Sequence, residues 1–145
     1  MDSVRVETTG DAAGQLRGMM TRLLNHSELL PKLGEMATVS QKGNIEESRE
    51  PDGTPYPPLK HVRPDGSDHP LFDTGVMYDS IHWEIDAVDS VFSGPSLSAA
   101  PYFPNQNQGA PGAHIPARVF IGLRAEDVTE AEDLAIHHAN DALNG

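Results

Sequence analysis

The sequence predicts an α+β domain: N-terminal helices and a C-terminal helix packed on a small, mostly antiparallel β-sheet, with a long proline-rich arm. Three observations carry this. Apolar residues recur at helical spacing before residue 48 and after residue 124, they alternate with period two over 81–87 and 118–123, and 49–70 is crowded with turn signals. At 145 residues the chain fits one domain, read as a helical segment (1–48), an extended arm (49–70), and a short helix, sheet and C-terminal helix (71–145).

The first helix follows from Leu16, Met19, Met20, Leu23 and Leu24, which share one face. Asn25-His26-Ser27 interrupts it. Ser27 stands where a cap for a second helix is needed, with Glu28 in the first turn and Pro31 still tolerated there. Leu29, Leu33, Met36, Ala37 and Ser40 form the expected inner side of that helix, running toward Ile45.

The arm carries Pro-Asp-Gly at 51–53 and again at 64–66. So long an irregular stretch in a compact domain points to a binding role, and it is expected to be an inter-subunit element. A short helix entered at Asp73 or Thr74 comes next. Ile81, Trp83, Ile85 and Ala87 then share one face of a half-buried strand, Asp89-Ser90 turns the chain, and SVFSG returns as the second strand of a hairpin. The glycine- and amide-rich stretch 101–114 reads as a loop.

HIPARVFIGLR (114–124) reads as a third strand, with Val119, Ile121 and Leu123 alternating against Arg118, Phe120 and Gly122. Trp83, Ile85, Val119 and Ile121 are expected to face one core. Pro116 biases Ile115 toward extended structure, Arg118 offers a planar donor fork suited to an internal salt bridge, and Gly122 permits a bulge or a close backbone approach. In the closing helix Val128, Ala131, Ala135, His138 and Ala142 share a face, with His138 expected as a packed residue.

Composition narrows the function. Ten Lys and Arg against 22 Asp and Glu give a net charge of −12, which disfavours a free-standing nucleic-acid binder. A hydrophobic fraction of 37% with 13 Gly and 12 Pro suggests a core completed partly by neighbours. The absence of cysteine removes disulfides, thiolate metal sites and a cysteine nucleophile, and suits a reducing cytoplasm. No apolar run approaches the roughly 20 residues of a membrane span, and the N-terminus lacks a signal pattern.

Candidate chemistry is sparse. His137 and His138 are adjacent on a helix and diverge by about 100°, so they do not clasp one ion. His61, His69, Asp65, Asp68 and Asp73 in and beside the arm are the residue types a divalent cation takes, and would serve a small metal-dependent hydrolase, but they lack a recognised ligand spacing. Glu46-Glu47 and Glu132-Asp133 read as solvated helix faces. Ser93 lacks the surroundings of a nucleophile elbow. The expected catalytic, cofactor and metal sets are therefore empty.

What remains is a set of motifs in order: PDGTPYPPL (51–59), LFDTGVMYDSI (71–81), Tyr102 followed by Gly109, and IPARVFIGL (115–123). Together they resemble the virion morphogenesis, or tail-completion, family of Mu-like tailed bacteriophages, from about residue 45 to the end. Tyr56 stands where that family usually has Trp, and the loop between Tyr102 and Gly109 is rewritten. The residues matching the motifs are Pro51, Asp52, Gly53, Tyr56, Leu59, Thr74, Gly75, Tyr102, Gly109, Pro116, Arg118 and Phe120.

The resemblance implies a non-enzymatic virion protein at the head–tail junction. It would complete the tail or neck as a homo-oligomeric ring, hexamer favoured over dodecamer, touching other head–tail connector and tail-tube proteins and no membrane. A tail-terminator or head-closure ring is the nearest alternative. An antitoxin-like binding module rests on acidity alone. If DNA passes through such a ring, Asp79, Glu84, Asp86 and Asp89 are the expected lumen carboxylates, repelling phosphate.

Overall fold

In chain order the elements are α1 (Ala12–Leu24), α2 (Leu29–Glu46), α3 (Val76–Ser80), β1 (His82–Ala87), β2 (Ser90–Gly94), α4 (Phe103–Gln108) and α5 (Ala125–Asn144), with one 3-10 turn at Pro111–Ala113. They come from a computed structural model that describes residues 11–145 apart from 62, 65, 67 and 68. The class is α+β, as expected. Among the described residues no helix is long and apolar enough to cross a membrane.

Helix α1 stops at Asn25, whose backbone turns extended, and α2 is entered at Glu28 without a side-chain cap. Ser27 is not the cap. Its amide instead donates to Asn25 Oδ1 at 3.1 Å, so Asn25 organises the corner. The buried face of α2 also differs from expectation. Leu30, Gly34, Thr38, Ser40, Gln41, Gly43, Asn44 and Ile45 are buried, whereas Leu29, Leu33, Met36 and Ala37 are half-covered.

That face is small and polar because of what lies on it. The hairpin packs across α2 at Gly34, where an added Cβ would sit 2.8 Å from Trp83 Cγ and 2.9 Å from Val91 Cγ2. Further along, Thr38 Oγ1 meets Ser93 Oγ at 2.9 Å and Gln41 Nε2 donates to Ser93 O at 3.1 Å. A leucine at any of these positions would hold the hairpin off the helix.

β1 and β2 pair antiparallel with Trp83 opposite Ser93 and Ile85 opposite Val91. The turn is Val88-Asp89, one residue earlier than expected. Only the base of the hairpin lies on α2, so Trp83 is half-buried while Ile85 is exposed. The expected third strand does not form: residues 118–123 have no regular structure, bend at 121–122, and join no ladder among the described residues. Part of the expected loop is instead α4, which Pro104 opens and Gly109 ends at a φ of 81°.

The apolar core consists of Ile45, Tyr56, Leu71, Met77, Ile81, Ala100 and Phe120. None of Trp83, Ile85, Val119 and Ile121 belongs to it, which overturns the expected shared core. Helix α5 packs on α1 and α2 rather than on the sheet. Of its apolar face only Ala142 is buried. His138 sits between the helices, its ring edge-on to His26 at 5.6 Å and its Nε2 3.2 Å from Leu23 O, rather than in the core.

Candidate functional site

The first half of the arm folds back on itself. Glu50 N donates to Thr54 O at 2.7 Å and Gly53 N to Glu50 O at 2.9 Å, a turn that needs Gly53 at a φ of 93°. Inside it Thr54 N donates to Asp52 Oδ1 at 2.9 Å, a bond that holds the Asp52 carboxyl below its usual range. The turn delivers Tyr56 to the core, where its hydroxyl donates to Val119 O at 2.9 Å and burial raises its pKa. This stretch is therefore internal to the domain, not a free arm.

Arg118 is buried beside it. Its Nε donates to Pro57 O at 2.8 Å and its Nη2 to Pro58 O at 3.0 Å. Two consecutive prolines present two carbonyls to one planar fork, a fit Lys would not reproduce. The expected salt bridge is replaced by these bonds, and among the described residues no carboxylate pairs with Arg118. Burial pulls its pKa down, and neighbouring Arg63 adds to this.

The backbone that leaves Arg118 is satisfied by side chains instead of a ladder. Phe120 N and Ile121 N both donate to Asn107 Oδ1, at 3.0 and 3.1 Å. Asn44 Nδ2 donates to Phe120 O at 3.0 Å and to Gly122 O at 3.3 Å, and Asn44 Oδ1 accepts from Arg124 Nε at 3.1 Å. Arg124 N donates to Ser40 Oγ at 3.0 Å. The Gly122 backbone approaches a ring rather than another backbone: an added Cβ would lie 2.9 Å from Pro51 Cγ.

These bonds reverse the face expected for the segment. Phe120 is 0% exposed and Ile121 36%. Period-two alternation is compatible with either face, and a slip of one residue exchanges them. With no neighbouring strand to impose a register, the larger aromatic surface and the fork of Arg118 are the groups that end up inside.

Next to this lock opens a cleft of about 970 Å³. Seven of the twelve motif residues line it: Leu59, Thr74, Gly75, Tyr102, Gly109, Pro116 and Arg118. Gly75 enters α3 at a φ of 87°, with the amide of Val76 3.4 Å from Thr74 Oγ1. Gly109 lets its chain pass another, since a Cβ there would be 2.9 Å from Ala117 N. The remaining five, Pro51, Asp52, Gly53, Tyr56 and Phe120, form the lock, and Arg118 belongs to both.

The cleft walls include apolar Val76 and Ile115, and its charged lining is Lys60, Arg63 and Arg118 against Asp73, with His114 beside them. Asp79, Glu84, Asp86 and Asp89 lie elsewhere, all exposed, on α3 and the hairpin.

No group of side chains able to hold a metal occurs among the described residues. Asp65 and Asp68 lie outside them. His69 is already engaged, its Nε2 2.9 Å from Glu46 O and its Nδ1 3.1 Å from Pro70 O. Glu46 and Glu47 are more than solvated. Glu46 accepts the Tyr78 hydroxyl, which pushes that phenol up to about 12, and Glu47 bridges Arg49 at 2.6 Å and Arg124 at 3.0 Å.

The model of the phage virion morphogenesis family matches residues 8–140. The chain belongs to that family. Its motif residues all fall within the matched stretch. A member of the virion morphogenesis family has a structural or morphogenetic role in a bacteriophage and a place with the virion. No curated protein and no solved structure matches the chain.

Sequence reasoning missed Asn44 and Asn107, the side chains that replace the missing ladder. The available signal was an Asn one turn beyond the inward-facing Ser40, and an amide-rich stretch whose amides need partners.

Proposed function

We propose that this virion morphogenesis protein completes the tail at the head–tail junction as one subunit of a homo-oligomeric ring, a hexamer for preference. The observation that carries the reading is the cleft: seven motif positions from four separate stretches of chain open onto one concave surface. Its apolar walls and cationic lining suit a protein segment, so we read it as a binding surface. Exposed apolar side chains on α1 and α5 add surface for neighbouring connector and tail-tube proteins to cover.

A phage deprived of this chain, viewed by electron microscopy, is expected to accumulate filled heads and separate tails, with joining restored by the purified protein. Its mass in solution at raised concentration is expected to be a multiple of the monomer. Normal joined virions in its absence would overturn the reading.

A further inference from the structure

The exposed tip of the hairpin and the cleft are complementary, and among the described residues neither is covered within one copy. Between Arg63 and Arg118 the chain has no Lys or Arg, so the hairpin is acidic throughout, with Glu84, Asp86 and Asp89 exposed. Among the described residues its carboxylates find little at home: Glu84 faces His82 at 3.7 Å and Asp86 accepts a distant bond from Ser90 Oγ at 3.5 Å. Interspersed with them, Ile85, Val88 and Phe92 are exposed, Val88 at 85%. The tip thus presents apolar side chains ringed by negative charge.

The cleft presents the opposite pattern. In a chain at −12 it gathers Lys60, Arg63 and Arg118 around apolar walls, with Asp73 as the one carboxylate among its described lining residues. Asp73 lies 3.6 Å from Arg63 Nε. Arg118 spends two of its guanidinium nitrogens on the Pro57 and Pro58 carbonyls, which satisfies those donors without cancelling the charge. No residue of the hairpin lines the cleft.

We infer that the hairpin tip of one copy, residues 85–92, inserts into the cleft of the next. This rests on the ring reading and names its contact. The contact is heterologous, joining two different surfaces, which is the kind that closes into a ring when the rotation between copies permits. Charge complementarity of this sort steers and registers partners, and salt weakens it. It also gives Asp86 and Asp89 a use in the subunit contact instead of in lining a channel.

The chain has no cysteine, so the contact can be tested by crosslinking. Val88→Cys at the tip and Gln108→Cys at the cleft are both exposed, and a disulfide requires Cα atoms within about 4.4–6.8 Å. The full-length variants, mixed under mild oxidation, are expected to give a covalent heterodimer, while Val88→Cys alone stays unlinked. Separately, Lys60→Glu and Asp86→Lys are each expected to weaken self-association about tenfold, and the two reversals in one chain to restore it.

Self-linking of Val88→Cys would overturn the proposal, because hairpins that meet one another are the arrangement of a channel lining. An assembled chain with no Val88–Gln108 link would overturn it and leave the ring reading standing. A chain that stays monomeric at every concentration would remove both.

Discussion

The segment 118–124 and helix α1 are opposites. The segment has no regular secondary structure, yet its side chains and backbone are tied by Asn44, Asn107, Ser40, Tyr56 and the two proline carbonyls. Helix α1 is regular over its whole length and buries none of its side chains. Leu16, Met20 and Leu24, one helical turn apart, are exposed, Leu24 at 67%. Only its other side is held, by Arg22 Nε donating to Ala142 O at 3.0 Å and by the contact with His138. Regularity and anchorage are therefore separate properties here. Polar side chains confer order on an irregular stretch of chain, whereas the helix leaves an apolar stripe exposed among the described residues.

The sharpest break of this contrast is inside the lock. Phe120→Ala is expected to cost about 3–5 kcal/mol and Ile121→Ala less than about 1 kcal/mol, read by denaturant unfolding. Equal effects would mean that the segment does not present Phe120 inward. Next is Asn44→Ala, which strands the buried Phe120 carbonyl, the half-buried Gly122 carbonyl and one guanidinium nitrogen of Arg124. A loss of about 1–3 kcal/mol is expected, and a stability unchanged from wild type would show that the ladder is replaced by something else.

A smaller effect lies in alkali. The folded state holds the Tyr78 proton more tightly than an unfolded chain does, first through its bond to Glu46 and then through burial, and burial does the same for Tyr56. A raised folded pKa contributes stability that is complete below the unfolded value of about 10 and is lost as pH rises from there toward about 12. Denaturation midpoints should therefore be flat up to roughly pH 10 and fall above it, less steeply in Tyr78→Phe. The smallest expected change in the isolated subunit is at α1. Leu16→Gln with Met20→Gln should alter its stability by within about 0.5 kcal/mol while reducing assembly, and a large loss of monomer stability would show that the stripe is covered within the chain.

Much of the fold was legible because its signals are local. Helical spacing in Leu16–Leu24, alternation in Trp83–Ala87 and the glycine at 75 each depend on residues within a few positions of one another. Where the reading failed, the deciding partner was distant. The face of 118–123 depends on Asn44, some 75 residues earlier in the chain. The polar face of α2 depends on a hairpin whose base crosses it at Gly34. Trp83 reads as core by its neighbours, but the helix beneath it covers only one side.

For the candidate site the division is similar. The sequence by itself determined where the backbone turns and what it offers: the Pro-Asp-Gly turn needs Gly53 at positive φ, the chain needs Gly75 and Gly109 to turn where it does, and the consecutive prolines 57 and 58 present carbonyls with no amides of their own. Only the tertiary structure decided that Arg118 is the donor those carbonyls meet, that Phe120 rather than Val119 and Ile121 enters the core, and that Leu59, Thr74, Tyr102 and Pro116 share one cleft. The physical reason is that backbone conformation is set mainly by each residue and its neighbours, while burial and hydrogen-bond satisfaction are settled among groups the chain brings together only when it closes.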